Sequence, residues 1–512
     1  MSCAIAAFVV LAGVLAGARE VPITILQTTD LHGHVLPWGG GGGNASAAGL
    51  LRCASLIQNI REQEANVIYV DCGDLIQGGA ESWLTGGRIM VKAMEWLKLD
   101  AWVLGNHDFD WGVDALASLH DRTSLALLGA NVGVVPGVPN RLGKVAPFVV
   151  KEVDGVRVAL VGLTTPAIPT WLLPDTLGDV RFERSAEALS RIMPAVRSAH
   201  PDVMVLLVHQ GYQALGDDTA NEVNGLARSF PEFDVMLGGH LHAPLAGVRL
   251  NDVLYGQAGC YGNGVVRADL VFDTVARRVV EKTAEVIPVT DRHEPCEPLR
   301  ALLREDLDRA EAYLAEELGR TEKGLTAAAA GLGLSPVQRL VSAAIGEEAK
   351  ADVVLHGALS EAGLPAGAIR RGDVWRLVPY ENRIGVVWLT VEEIREILEE
   401  NTDLIGSVHF LGAYGLSYEY HPRARPGRRI RNICLPDGTT LHARKRVRVA
   451  TSSYVLASGG GRFPGFRRIA NLPTSRLEMT DVDTRSAVVK YVKGHRLLQV
   501  PAAGSVRVVR RE

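Results

Sequence analysis

Short apolar, β-branched runs that stop in polar residues able to bind metal recur along the first half of the chain. Pro22-Ile23-Thr24-Ile25-Leu26 leads to Thr28-Thr29-Asp30-Leu31-His32-Gly33-His34, and the run 67 to 70 leads to Asp71-Cys72-Gly73-Asp74. The run 101 to 104 leads to Gly105-Asn106-His107-Asp108-Phe109-Asp110, the run 203 to 208 to His209, and the run 234 to 237 to Gly238-Gly239-His240-Leu241-His242. Helical spacing fills intervals between them, at 50 to 64 and 88 to 97. Continuous apolar runs of this kind suit buried strands of an α/β core, where ligands gather beyond the strand ends. The pattern predicts five strand ends converging on one site.

After Cys296 the texture changes. Leu299, Leu303, Leu307, Ala310, Leu314 and Leu318 recur at helical spacing, with Gly319 as the expected stop. An Ala/Gly-rich stretch, 324 to 333, follows, and Ser335-Pro336 is placed to cap and start a helix. The expected organisation is therefore a first domain over 19–296, a helical linker over 297–333 that hinges near 320–333, and a smaller mixed α/β domain over 334–512.

At 512 residues the chain is too long for one ordinary core, and 47% hydrophobic with 22% charged residues describes a globular protein. A net charge of -4 gives no electrostatic case for nucleic acid, so a small-molecule partner is expected. The apolar run 4 to 18 is shorter than the roughly 20 residues that cross a bilayer. It ends in Ala16-Gly17-Ala18, a small-x-small pattern, and predicts a signal peptide over 1–18 with periplasmic or extracellular delivery. The glycine run 39 to 43 and the acceptor pattern Asn44-Ala45-Ser46 read as a surface loop. Beyond Cys3 the five remaining cysteines are widely spaced, which indicates neither a zinc knuckle nor a disulfide framework.

A single Asp-x-His carries almost no information in a chain this long. The ordered set of Asp30-x-His32, Gly73-Asp74, Gly105-Asn106-His107-Asp108, His209 and Gly239-His240-x-His242, each at an expected strand end, carries a great deal. It resembles the calcineurin-like metallophosphoesterases, and within them the 5'-nucleotidase and UDP-sugar hydrolase family. The resemblance implies a four-layer αββα first domain and two adjacent divalent metal ions. One would take Asp30, His32 and His242, the other Asn106, His209 and His240, with Asp74 bridging. It further implies that His107, paired with Asp110, stabilises the transition state or protonates the leaving oxygen, while Asp108 is structural. Physical chemistry agrees, because two cations side by side repel and need bridging anions to offset their charge. Oxygen and imidazole donors suit Mn, Zn, Co or Fe rather than Ca. Such a pair lowers the pKa of a bridging water and stabilises an in-line phosphoryl transition state.

In the second domain the match is looser. Ala351 to Ser360 resembles the family's strand into a Gly-Gly-Ile-Arg turn, with Ser360 at the arginine position, for which Arg370, Arg371, Arg376 or Arg383 could substitute. Leu377-Val378-Pro379-Tyr380-Glu381-Asn382 resembles the family's Pro-Phe-Gly-Asn segment. Phe410 and Phe463 match the two aromatic elements that stack a base, with Gly461-Arg462 standing where Asp-Gly is usual, and Asn106 would also touch substrate. Each stacked ring would contribute about 1 to 3 kcal/mol. The basic runs 423 to 431 and 444 to 448 read as a solvated face. The resulting expectation is an exported dimetal phosphohydrolase acting on nucleotides. The rivals are a related hydrolase on the same scaffold, such as a sulfur-oxidation thiohydrolase, and a poorly active nucleotide-binding protein.

Overall fold

Ile23, Ile25, Val70 and Val103 project from neighbouring strands toward Val158, Leu160, Val205 and Leu207 of other strands, and all are at most 1% exposed. They form a dry layer between two six-stranded sheets, in a computed structural model that describes residues 19–38, 48–329, 332–407, 409–500 and 502–510. The expected signal peptide, the glycine run and the Asn44-Ala45-Ser46 pattern lie outside the described residues.

The first sheet runs Arg278–Pro288, Gly264–Asp273, Glu20–Thr28, Val67–Asp71, Ala101–Val103, Leu127–Leu128. The second runs Pro244–Leu250, Val253–Ala258, Val235–Gly238, Val203–Val208, Val156–Leu163, Phe148–Val153. The central strands of each sheet are parallel. Alternate residues of one strand serve two layers. In Val203–Val208, Val205 and Leu207 face the other sheet, while Leu206 and Val208 face the helices Ser185–Ser198 and Val223–Ser229. Helices Gly49–Gln63, Arg88–Trp96 and Glu297–Ala315 cover the outer face of the first sheet. The order is thus helix, sheet, sheet, helix.

The long helix after Cys296 differs from its expected extent. It covers Glu297–Ala315, and Leu299, Leu303 and Leu307 pack onto the first unit's core. It stops before Gly319 because Glu317–Thr321 pairs with Gly367–Arg370 and Leu497–Leu498, which draws Leu318 into a different core. Arg320 lies within that strand. Sheet pairing here wins over helical periodicity. Ser335 does cap a helix, Pro336–Ala349, accepting from the Gln338 amide at 3.1 Å while Gln338 Oε1 accepts from the Ser335 amide at 2.9 Å.

The second unit is built on a five-stranded sheet, Gly412–Tyr414, Val353–His356, Arg446–Ser452, Arg383–Thr390, Glu478–Asp483. Helices Pro336–Ala349 and Thr484–Gly494 cover one face, and Val391–Asn401 with Pro464–Ala470 cover the other. Among the described residues no helix is long and apolar enough to cross a membrane, and Cys53, Cys72, Cys260, Cys296 and Cys434 are free thiols.

Phe463 sits inside this second core, 1% exposed, beside Val455, Leu456, Phe466 and Ile469. A fully buried ring has no face left for a ligand, which corrects its expected stacking role. Phe463→Ala should therefore cost about 3 to 5 kcal/mol of stability, read from the urea midpoint of the second unit. An unshifted midpoint would return the ring to the surface.

Candidate active site

Asp30, Asp74, Asn106, His209, His240 and His242 each follow a parallel strand, Glu20–Thr28, Val67–Asp71, Ala101–Val103, Val203–Val208 or Val235–Gly238. The loops that carry them are strained. Asp30, His32, Asp74, His240 and His242 all have positive φ, between 48° and 71°. Such backbone costs about 1 to 3 kcal/mol per residue outside glycine and persists where surrounding structure enforces it. Here the enforcing contacts are visible. Asp30 carboxylate oxygens accept from the His240 amide at 3.0 and 3.2 Å, and Asp74 Oδ1 accepts from the His107 amide at 2.7 Å.

Two groups of donors result: Asp30, His32 and His242, then Asp74, His209 and His240, with ligand atoms in each group within 4.8 Å of one another. Asp74 Oδ2 faces both, 3.2 Å from His209 Nε2 and 3.8 Å from His32 Nε2. Asn106 Oδ1 is 3.1 Å from His209 Nε2. The tautomers make this informative. His209 Nδ1–H donates to the Cys72 carbonyl at 2.7 Å, and His32 Nδ1 faces the Gln77 carbonyl at 3.2 Å, so both rings turn Nε2 toward the centre. His32 Nε2 and His242 Nε2 stand 3.1 Å apart. Lone pairs and carboxylates aimed at one another need positive charge between them, so the donor set fits a pair of cations.

The electrostatics say the same. Asp30 and Asp74 are held below the usual carboxylate range: burial pushes both up, but the surrounding imidazoles outweigh it. In return His209, despite burial, is raised to about 9 by Asp74 and Asp30. His32 is pushed down to about 4 by burial, the neutral form that ligates.

His107 points elsewhere. Its Nδ1 is 2.8 Å from Asp110 Oδ2, and the Tyr380 ring lies over it at 5.3 Å with an 18° tilt. Burial pushes this imidazole down, but Asp110 and Asp74 outweigh it and hold it at about 9.

Asp108 is buried and turned away from the cluster. It accepts from the amides of Gly105, Leu75, Ile76 and Asp74 at 2.8 to 3.2 Å and from Trp102 Nε1 at 3.3 Å, stitching the 105 to 108 loop to the 74 to 76 loop. Gly105 permits the approach, since a Cβ there would stand 2.2 Å from both Asp74 N and Asp74 Oδ1.

Above these residues lies a cleft of about 750 Å³ between the two units. Asp74, Asn106, His107, Asp110, His240 and His242 line its floor. Trp171 lines one side, its ring 5.1 Å from that of His240. Tyr380, Asn382, His409, Tyr454, Ser360 and Arg462 line the other. Phe410 is half-buried outside the lining, so neither expected aromatic faces this cleft. Tyr380 and Trp171 were not singled out by sequence. Tyr380 lies in the Pro379-Tyr380-Glu381-Asn382 segment that could have marked it, and Trp171 stands in no motif. The second unit is fastened at this point: Glu381 accepts from Gln77 Nε2 at 2.9 Å and Trp111 Nε1 at 3.3 Å, and from Arg485 at 2.7 Å.

Comparison with known proteins adds a context. The calcineurin-like phosphoesterase family model matches residues 23–244, and the 5'-nucleotidase C-terminal domain model matches residues 317–468. The chain is 24% identical to endonuclease YhcR and 26% identical to the trifunctional nucleotide phosphoesterase YfkN, both of Bacillus subtilis. The matches cover 93% and 87% of this chain, but it spans only 40% and 36% of those longer relatives. It is 26% identical to protein UshA of Yersinia enterocolitica, over 89% of this chain and 88% of the relative. A solved putative 5'-nucleotidase from Staphylococcus aureus superimposes with a TM-score of 0.81 at 21% identity, over 95% of this chain and all of that one. The family uses divalent metals.

Removing the Asp108 carboxylate would leave those buried amides and the Trp102 indole without an acceptor. Asp108→Ala should destabilise the first unit on the order of 3 kcal/mol by urea unfolding. If stability holds, the two loops are positioned by something else.

Proposed function

We propose that this chain, which belongs to the calcineurin-like metallophosphoesterases in their 5'-nucleotidase and UDP-sugar hydrolase branch, is a metal-dependent phosphoester hydrolase that releases phosphate from nucleotides. The activity would be that of a 5'-nucleotidase or a 2',3'-cyclic nucleotide phosphodiesterase. The observation that carries this reading is the convergence of Asp30, His32 and His242 with Asp74, His209 and His240 beneath a cleft of nucleotide size. Export rests on the apolar run 4 to 18 and its Ala16-Gly17-Ala18 ending.

In this reading Asp30, His32 and His242 would hold one divalent cation, Asn106, His209 and His240 would hold the other, and Asp74 would serve both. Oxygen and imidazole donors suit Mn, Zn, Co or Fe. When bound, the cations would supply an activated water at neutral pH and neutralise charge on the phosphoryl group. The remaining work belongs to the chain. His107, with Nδ1–H on Asp110, keeps Nε2 at the cleft floor as a proton donor to the leaving oxygen, and a ring held at about 9 is protonated at neutral pH. Tyr380 lies over the imidazole and fixes its plane. The Asn106 carboxamide, which also lines the floor, is available to substrate oxygen. With Phe463 buried, Tyr380, Tyr454 and Trp171 are the rings available to a base.

Two variants separate the roles. Asp74→Asn should fall below two ions per chain by plasma mass spectrometry and lose activity with them. His107→Asn should keep its metal and lose about 100-fold or more in kcat. Full activity in the second variant removes the proton-donor role. For the function itself, Mn-loaded protein lacking residues 1–18 would be assayed for phosphate release from AMP, UMP and an aryl phosphate and for ring opening of a 2',3'-cyclic nucleotide to its monophosphate. Preference for the nucleotides is expected. Equal or better cleavage of the aryl phosphate sinks the nucleotide assignment.

A further inference from the structure

With Ser360 where the resembled family has an arginine, four other arginines stand as candidates to grip an anionic substrate, and each lies away from the cleft. The Ser360 hydroxyl itself is spent on the Arg376 and Leu377 carbonyls at 2.8 and 3.3 Å. Arg371 pairs with Glu316 and lies over the Tyr313 ring at 4.3 Å. Arg376 pairs with Asp373, Arg383 donates to the Thr480 carbonyl at 3.0 Å, and Arg370 lies exposed on the strand Gly367–Arg370. None of the four lines the cleft.

Among the described residues, Arg462 is the arginine that does. Its Nη1 donates to the Tyr454 hydroxyl at 2.9 Å and the Gly459 carbonyl at 2.7 Å, both neutral acceptors that leave the guanidinium charge uncompensated. A Cβ on Gly460 would stand 2.4 Å from Trp171 Nε1 and 2.9 Å from Arg462 Nη1, so indole N–H and guanidinium flank one stretch of backbone. Trp171 in turn touches the His240 ring. Arg462 is therefore one indole removed from the ligand cluster, on the wall that also carries Tyr454 and His409. Burial and the Arg462 charge together lower the His409 imidazole. Glu361 also lines the cleft, with no ion pair to Arg462 among the described residues.

We propose that Arg462, with the Trp171 indole N–H, forms a second anion subsite. The preferred substrates would then be phosphoesters that carry a second anionic group across a sugar-sized spacer. The inference rests on the phosphoester reading above and deepens it. One phosphate sits at the floor, and the second group pairs with a guanidinium that otherwise meets neutral oxygens.

The test compares adenosine 3',5'-bisphosphate, AMP and p-nitrophenyl phosphate on Mn-loaded wild type, Arg462→Ala and Arg462→Lys. The wild type should favour the bisphosphate over AMP by about tenfold in kcat/KM. Arg462→Ala should erase that preference through KM, Arg462→Lys should keep part of it, and the aryl phosphate should be indifferent. No preference in the wild type, or an equal loss on all three substrates, overturns the subsite while leaving the hydrolase reading intact. If nothing is hydrolysed the hydrolase reading fails, and calorimetry decides the subsite separately. Bisphosphate binding about tenfold weaker in Arg462→Ala supports it, and unchanged binding overturns it.

Discussion

The rest of the structure is built to keep like groups facing one another. Around Asp74, carboxylate oxygens and imidazole lone pairs crowd within hydrogen-bond distance with few protons to share. Such an arrangement is unfavourable on its own account, because each buried acceptor needs a donor or a charge. Within the protein alone, protons drawn onto His209 by Asp74 and Asp30 partly meet that need. Divalent cations would meet it better, and this difference in fit would give the cluster its affinity.

Holding such a cluster requires a frame stiffer than the repulsion. The two sheets provide it, since their parallel strands deliver every candidate ligand loop to the same edge. The left-handed residues Asp30, His32, Asp74, His240 and His242 take up the sharp turns that let short loops aim inward. Asp108 then ties two of those loops together from behind, spending its carboxylate on backbone amides rather than on chemistry. The second unit is joined to the same frame. Gln77 offers its carbonyl to His32 Nδ1 and its side chain to Glu381, so docking of the second unit and orientation of a candidate ligand share one residue.

Much of this was legible in sequence because it depends on local patterns. Apolar runs ending in Asp, Asn and His announced the strand ends, and the spacing of Asp30-x-His32 and His240-x-His242 announced which side chains would turn inward. The helix after Cys296 was legible only in part. Leu299, Leu303 and Leu307 share a face with Leu314 and Leu318 on paper, but long-range pairing of Glu317–Thr321 with Gly367–Arg370 outweighs periodicity. The docking contacts through Glu381 and Trp375 were not legible, because they join residues far apart in the chain, Gln77 Nε2 donating to Glu381 at 2.9 Å and Trp375 Nε1 to the Gly78 carbonyl at 3.0 Å. No local pattern encodes such a partner.

The cleft wall shows why a motif can survive while its chemistry changes. Gly459, Gly460 and Gly461 all carry positive φ, 56°, 72° and 80°, a left-handed run open chiefly to glycine. Gly460 is held against Thr170 of the first unit by its amide at 3.0 Å. After such a run, adjacent residues depart in opposite directions: Phe463 goes into the core and Arg462 goes to the cleft. The sequence retains the glycines that set the turn and the aromatic that follows. What faces the cleft is decided by the residue between them, and here that residue is a cation.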